Sequence, residues 1–592
     1  MKKIQLFLAT IIGLVTFSSC EDLEFGNKFL EKEPSVDVTK DTIFSSTELT
    51  LKYLTQGYTT LPYGLNLDFS DKDNKLGMDV EEALTDLNQS FLSWGGAMSL
   101  YYNGQYAAAT ESTSANTRFN FTKEATWRGI RIGYLIIENV DKVPDADEAT
   151  KKRIKAEAKV LIALHYTDMY RTFGGLPWVD RAYTANEVPK VDRLSSKETL
   201  ENIVKLLDSA IPDLPLVLTD LSTTDGRFTK ASAMGLKARL LLFGASPLFN
   251  SASHYRPGTA APNDKLTWHG GYDKELWKRA ADAAKDLLNA GGYQLVTNSA
   301  LPELDKKYRQ DFQNAYYKRG NGEILISTRK RFKSGGYWAT NYYFYQSADG
   351  YGCGNPTKNY VDMFPMANGL PISDPNSGYN ENDPWVGRDP RLYETVLVNG
   401  DNFQGRTAEL WITGRERPTA SGGRARSGFG LKKFLLDRDN ATSTQSIVQW
   451  PYLRLAEIYL TYAEALNEYN SGPTPEAFEA VNTVRARVGL GELPTNLNQE
   501  GFRKAVLNER ACELGFEENR WYDIVRWKMS ESFTQKLQGV DLTKNANGTF
   551  TYVTTELPAR FWKGNWDTKW YLSAFPPTEI NKGYGLVQNP GW

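Results

Sequence analysis

The sequence predicts a mainly α-helical fold in which irregular helix pairs carry a large insertion rich in loops and short strands. Apolar residues recur at helical spacing over about 46–60, 124–290 and 452–528. Residues 61–123 and 293–450 lose this period and are rich in glycine, turn residues and aromatic residues. Alanines occupy many positions where paired helices must approach closely, which is typical of tetratricopeptide-like stacking, but no strict repeat length survives. We therefore predict about four irregular helix pairs rather than a regular solenoid.

Cap residues place the ends of these helices. Ser45 with Glu48 and Ser195 with Glu198 have the spacing of capping boxes, in which each residue's side chain bonds the other residue's backbone N–H. Thr474 precedes a proline and supplies another cap. Helices after the first are predicted at about 124–142, 150–173, 195–211, 229–245, 273–290, 452–469, 475–488, 500–515 and 518–528.

The two irregular stretches are where we expect ligand-binding residues. Short strand-like runs occur at 323–327 and 342–345. Long insertions on a rigid scaffold are where function tends to be located. We predict a single domain over 46–592, ending in a C-terminal segment at 529–592.

The chain begins with the pattern of a secretory signal. Two lysines precede an apolar run from Ile4 to Phe17, and small residues lead to Cys20. The run is shorter than the roughly 20 residues that span a bilayer, so a transmembrane helix is the weaker interpretation. We predict a lipoprotein signal peptide at 1–19, acylation of Cys20 and a polar tether at 20–45. A plain cleaved signal followed by an incidental cysteine is the alternative.

Composition argues against several classes of function. The net charge is -2 with no basic tract, so there is no electrostatic footprint for nucleic acid. The three histidines share no ligand spacing, and we expect neither a metal site nor a cofactor. Cys353 and Cys512 are far apart, and a single bridge between them is left open. Residues 349–352 and Asp383 lack the spaced carboxylates of a calcium loop, so an incidental turn is the better interpretation.

Two polar features are predicted to be structural. Residues 509–523 are dense in charge at helical spacing, which favours ion pairs between helices over an active site. His165 falls on the apolar stripe of its helix and is predicted to be a core residue with a hydrogen-bond partner.

Six segments, in order along the chain, resemble one known family. They are Trp127–Arg131 with Glu138–Val140, Ala156–Pro177, Leu453–Ala465, Val481–Arg487, Glu509–Asp523, and Phe575–Ile580 with Gln588–Pro590. Together they resemble the SusD/RagB family of outer-membrane nutrient-uptake lipoproteins. The resemblance implies a SusD-like α-helical scaffold, no catalytic activity and glycan capture at the bacterial surface. It also implies a SusC-like TonB-dependent transporter as partner and an outer membrane reached through lipid on Cys20, with acidic residues after Cys20 similar to a surface-export signal.

Two aromatic clusters are candidates for glycan contact, because sugar rings present apolar C–H faces and a rim of hydroxyls. The first contains Asp79, Trp94, Tyr101 and Tyr102; the second contains Tyr337, Trp338, Asn341 and Tyr342. Trp94 and Trp338 are favoured, since the glycine pairs at 95–96 and 335–336 indicate flexible, exposed backbone beside each. For every ring named, core packing is the competing interpretation.

Two other functions remain as alternatives. A helical-repeat adaptor would bind a peptide or another nutrient for the same type of transporter. A glycoside hydrolase would need two carboxylates about 5 to 10 Å apart across a cleft, for which the sequence offers no positive support.

Overall fold

The structure is a computed structural model that describes residues 39–65, 75–112, 116–119, 121–184, 187, 190–257, 264–331, 351–435 and 447–592. Within these ranges, eleven helices of seven residues or more form the scaffold. They are α1 Thr47–Tyr58, α2 Glu124–Asn139, α3 Glu148–Phe173, α4 Ser196–Asp208, α5 Lys230–Ala245, α6 Glu275–Ala290, α7 Leu304–Tyr317, α8 Leu455–Asn470, α9 Pro475–Arg487, α10 Gln499–Leu514 and α11 Arg520–Arg526. Every helix predicted from the sequence is present, which confirms the mainly α class.

The helices stack in chain order. α1 packs on α2, α2 on α3, α3 on α4, α4 on α5 and α5 on α6; α8 then packs on α6 as well as on α9 and α10. Small residues permit the close approach, as at Gly133 of α2, where a side chain would collide with Ile162 of α3. The segment between α6 and α8 is therefore an insertion into a continuous helical stack, and the predicted irregular helix pairs are confirmed.

Two of the predicted caps are confirmed. The Ser195 backbone N–H donates to Glu198 Oε2 at 3.0 Å and the Glu198 N–H donates to Ser195 Oγ at 3.2 Å, which completes the capping box of α4. Thr474 accepts a hydrogen bond from the Ala477 N–H at the start of α9. Each cap satisfies backbone donors that the first helical turn leaves without a partner.

The predicted cap of the first helix is wrong by one residue. Ser46 caps α1 by accepting from the Leu49 N–H at 3.3 Å, whereas the Ser45 hydroxyl donates to the Thr42 carbonyl. The Ser45 hydroxyl has this other partner because a short helical turn, Lys40–Ile43, lies within the predicted tether. The division of the chain into signal, tether and single domain otherwise stays a prediction, since residues 1–38 lie outside the described ranges.

Short antiparallel strand pairs complete the described parts of the two irregular stretches and the C-terminal segment. They are β1 Asn88–Ser90 with β3 Gly354–Pro356, β2 Ile324–Arg331 with β8 Ile447–Arg454, β4 Val396–Leu397 with β7 Gly430–Leu431, β5 Asn402–Phe403 with β6 Arg406–Thr407, and β9 Gln538–Lys544 with β10 Phe550–Glu556. β2 confirms the strand predicted at 323–327, while 342–345 lies outside the described residues. α7 and the β9–β10 hairpin were not predicted.

The charged block at 509–523 is a buried ion-pair network, as predicted. Arg454, at the end of β8, binds Glu513 of α10 and Glu517 just beyond it, and it also binds Glu323 just before β2. Arg510 pairs with Asp523 in the same block at 2.8 Å. The network joins the base of the insertion to the last scaffold helices.

The remaining polar groups of the interior also have structural roles. His165 is buried and lies 2.9 Å from Thr60 Oγ1, and burial lowers its pKa to about 4, so its predicted core position is confirmed. Cys353 and Cys512 are both buried and free, so the bridge left open by the sequence is not formed. In the part of the chain that the structure describes, no helix combines the length and apolar character needed to cross a membrane.

Candidate functional site

One end of the β1–β3 ladder carries two exposed aromatic side chains. Ser90 lies opposite Gly354, and the Phe91 N–H continues the ladder by donating to the Cys353 carbonyl at 2.9 Å. Just beyond this last hydrogen bond, Trp94 lies in the segment that follows β1, and Tyr351 lies in the segment that precedes β3. Trp94 is 47% exposed and Tyr351 is 53% exposed, although apolar side chains of this size are usually buried. We call Phe91, Trp94 and Tyr351 the aromatic platform.

Asp79 holds the loop that presents Trp94. Its Oδ1 accepts from the Ser90 hydroxyl before the loop, and its Oδ2 accepts from the Ala97 N–H after the loop at 3.1 Å. Burial raises the pKa of Asp79 to about 7, an effect that these two hydrogen bonds oppose. Asp79 is 1% exposed and both its oxygens are engaged, so the structure places it beneath the platform and not among the ligand contacts we expected.

The glycine pair next to Trp94 is buried, so our expectation of exposed backbone there is wrong. A Cβ at Gly95 would collide with the Asp79 carboxylate, and one at Gly96 would collide with the Asn116 carbonyl. These residues are glycines because other chain segments pack directly against them. Trp94 is therefore an exposed side chain on a closely packed turn.

Tyr101 is buried, and Tyr102 is half-buried and packs against the core. Tyr101 is buried, with its ring centroid 4.8 Å from that of Tyr106, and its hydroxyl accepts from the Arg118 N–H at 2.9 Å. The Tyr102 hydroxyl accepts from the Ser90 N–H at 3.1 Å. For both residues the competing interpretation, core packing, describes the structure, because their hydroxyls are engaged in holding backbone.

A glycine- and arginine-rich loop, residues 413–428, borders the platform. Asn355 Nδ2 ties this loop to β3 by donating to the carbonyls of Gly352 at 3.0 Å and Gly423 at 3.1 Å. The Arg426 guanidinium carbon lies 5.0 Å from the centroid of the Phe91 ring. Sequence reasoning missed Phe91, Tyr351 and this loop as parts of a site. The four arginines between 415 and 426 were the available signal, but nothing local indicated that they meet Phe91.

The second predicted cluster belongs to a part of the chain that the structure does not describe. Tyr337, Trp338, Asn341 and Tyr342 lie outside the described residues, as does Cys20, and their roles stay predictions. In the described ranges, no three His, Cys, Asp or Glu side chains come together as a set that could hold a metal ion. The described part of the site offers stacking surfaces and hydrogen-bond donors.

Two protein-family models match parts of this sequence. A model of the SusD family matches residues 323–592, and a model described as "Starch-binding associating with outer membrane" matches residues 28–242. SusD-like protein P25 of Formosa agariphila is 24% identical over 94% of this chain and 96% of its own length. SusD-like protein P2 of the same organism is 25% identical over 66% of this chain and 68% of its own length.

Solved structures show the same fold. A SusD-like protein from Bacteroides fragilis superposes with a TM-score of 0.71 at 24% identity, covering 95% of this chain and 100% of that protein. A SusD-like carbohydrate binding protein from the same species has a TM-score of 0.69 at 20% identity, covering 91% and 99% of the two chains. The family itself follows from the two family models, which between them match most of the sequence: the chain belongs to the SusD/RagB family.

Proposed function

We propose that this protein binds an oligosaccharide or polysaccharide at the cell surface through the aromatic platform and delivers it, uncleaved, to a SusC-like TonB-dependent outer-membrane transporter. The observation that carries the proposal is the pair of exposed rings, Trp94 and Tyr351, at one end of the β1–β3 ladder. The outer-membrane description of the matching family model and the carbohydrate-binding description of a structural neighbour support it.

The chemistry of the platform suits sugars. An indole or phenol ring stacks on the apolar C–H face of a pyranose, while nearby donors bind its hydroxyls. The turn that carries Trp94 is already ordered by Asp79 and the buried glycines, so little backbone freedom is lost when a ligand binds. Arg426 supplies a guanidinium with several N–H donors beside Phe91.

Binding without cleavage is part of the proposal. A glycoside hydrolase needs two carboxylates that reach the glycosidic bond. Asp79 is the carboxylate bonded to the Trp94 turn, and it is buried beneath the turn with both oxygens engaged. Assay of reducing-sugar release tests this part of the proposal, and release by the purified protein would contradict it.

The first experiment is retardation of protein lacking residues 1–20 in native gels cast with a panel of neutral and acidic polysaccharides. We expect retardation by one glycan class, strong loss of retardation in Trp94→Ala and Tyr351→Ala, and unchanged melting temperatures. Tyr272→Ala is the matched control, because Tyr272 is 56% exposed but lies in the turn before α6. Trp338→Ala in the same gel tests the second predicted cluster.

Other outcomes of this experiment would redirect the proposal. Retardation by no polysaccharide would overturn glycan capture and favour an adaptor for a peptide or another nutrient. Equal losses in Trp94→Ala and Tyr272→Ala would show that the platform has no special role.

Tests of the lipid anchor and of the transporter partner use the full-length protein in its own cell. We expect Cys20→Ser to abolish acylation and remove the protein from the outer-membrane fraction. The wild-type protein should purify together with a TonB-dependent transporter after mild detergent extraction. A protein that stays membrane-bound without Cys20 would contradict the lipid anchor.

A further inference from the structure

The glycine- and arginine-rich loop places one arginine, Arg426, beside Phe91 of the platform. Arg426 is partly exposed over Phe91, and among the described residues no Asp or Glu oxygen lies within 4 Å of its guanidinium nitrogens. Two of the loop's other charges are engaged elsewhere: Arg417 is buried against Asp541, and Glu416 is buried against Arg406, while Arg415 is exposed. Arg426 therefore keeps its charge available at the edge of the site.

The backbone of Arg426 is held on both sides. Arg417 Nη2 donates to the Arg426 carbonyl at 3.0 Å, and the next residue, Ser427, donates its N–H to Asn355 Oδ1 at 3.1 Å. Contact with Phe91 restrains the side chain as well. A guanidinium held in this way loses little freedom on binding and presents the planar donor fork that matches a carboxylate or a sulfate.

The local charge contrasts with that of the whole chain. Residues 413–428 contain four arginines and one glutamate, a net charge of +3, whereas the whole chain carries -2. A neutral sugar that covered Arg426 would remove its guanidinium from water without neutralising its charge, which costs free energy. An acidic group on the ligand would compensate for that loss of hydration.

We propose that the platform selects acidic glycans, whose carboxylate or sulfate groups bind Arg426 while a sugar ring stacks on Trp94 or Tyr351. This inference rests on the proposed function and adds the substrate class to it. Arg426 is the specificity-determining residue, and the aromatic rings bind the sugar backbone.

The test uses matched polysaccharide pairs within a broad panel, applied to protein lacking residues 1–20. Polygalacturonate is compared with its methyl ester, and dextran sulfate with dextran; alginate, carrageenan and chondroitin sulfate stand beside starch, mannan and xylan. We expect retention by acidic members only, and binding about tenfold weaker in Arg426→Gln, as for loss of a charge-assisted hydrogen bond. The two pairs distinguish a carboxylate ligand from a sulfate ligand.

Arg415→Gln is the control, because Arg415 is exposed in the same loop and the substitution removes the same charge without touching Phe91. We expect it to change affinity less than about twofold, since exposed charges at a distance are screened at ordinary salt. Equal losses in Arg415→Gln and Arg426→Gln would overturn the role of Arg426 in favour of a diffuse electrostatic effect.

The two proposals fail in different ways. Binding to neutral glycans that Trp94→Ala abolishes and Arg426→Gln leaves unchanged would overturn acid selection and leave glycan capture intact. Failure to bind any member of the panel would overturn the proposed function and this inference together. Support for both proposals would be binding of the acidic members that weakens with added salt and is lost without Trp94 or Arg426. This binding should persist in Arg415→Gln.

Discussion

Replacing Arg454 by methionine should lower the free energy of unfolding by about 3–5 kcal/mol, the usual effect of removing one partner from a buried ion pair. Arg454 is 1% exposed and donates five hydrogen bonds: to Glu517 Oε2 at 2.8 Å, Glu323 Oε1 at 2.8 Å, Glu513 Oε1 at 2.5 Å, the Glu513 carbonyl at 2.6 Å and Glu517 Oε1 at 2.9 Å. Methionine fills much of the same volume but donates nothing.

Charge balance supports this magnitude. The network around Arg454 in the described residues has five cations, Arg391, Arg454, Arg485, Arg487 and Lys433, and five carboxylates, Asp389, Glu323, Glu509, Glu513 and Glu517. Removal of one cation leaves an unbalanced negative charge in the interior, where little water can screen it. The remaining arginines share that charge, which keeps the expected loss within a few kcal/mol.

Urea denaturation followed by tryptophan fluorescence measures the effect, because in a chain of 592 residues a loss of about 4 kcal/mol moves the melting temperature by only about 3 °C. Lys504→Met is the matched control: Lys504 of α10 also pairs with a glutamate, Glu500 at 2.7 Å, but that pair is exposed. We expect little change there, as is usual for surface ion pairs.

The pH dependence provides an internal check. Burial acts to raise the pKa of Glu513, but the positive charges of Arg487, Arg454 and Arg391 lower it well below its ordinary value. A carboxylate with a lowered pKa stabilises the fold above its unfolded pKa of about 4.5, and this contribution is lost as the pH falls through the folded value. The gap between wild type and Arg454→Met should therefore be widest at neutral pH. Equal stability of the two proteins at pH 7, or a gap no larger than that of Lys504→Met, would refute the reasoning.

Three further predictions concern buried residues. Gly96→Ala should lower both stability and glycan retention, because its methyl group would collide with the Asn116 carbonyl and displace the Trp94 turn; an unchanged melting temperature would contradict this. Burial raises the pKa of Glu111 to about 8, so its contribution to stability is full below its unfolded pKa of about 4.5 and is lost as the pH rises toward 8. The stability of Glu111→Gln relative to wild type should therefore increase from roughly pH 5 to pH 9 in thermal melts. Parallel pH profiles of the two proteins would show that Glu111 does not titrate in this range. Cys353 and Cys512 should react with a thiol reagent only after unfolding, and reductant should leave the melting temperature unchanged; a reductant-sensitive melt would reveal a bridge.

The helical scaffold could be predicted because its signals are local. The capping box of Ser195 and Glu198 and the cap at Thr474 join residues three positions apart, and the apolar stripes repeat with the helical period. The cap at Ser45 was wrong because the helical turn at Lys40–Ile43 provides a competing partner for its hydroxyl. The partner that a serine hydroxyl bonds thus depends on neighbouring segments of the chain, and a cap motif alone does not predict it.

The candidate site depended on contacts that have no local signal. Trp94 and Tyr101 belong to one aromatic run, yet one ring is exposed and the other buried, since the pairing of β1 with β3 decides which way the turn faces. The contact of Arg426 with Phe91 likewise joins distant parts of the chain. The sequence by itself determined the scaffold helices other than α7, the structural role of the charged block and the family. Tertiary packing decided which aromatic rings reach solvent and which arginine meets them, because burial depends on every segment that packs against a residue and periodicity describes one segment at a time.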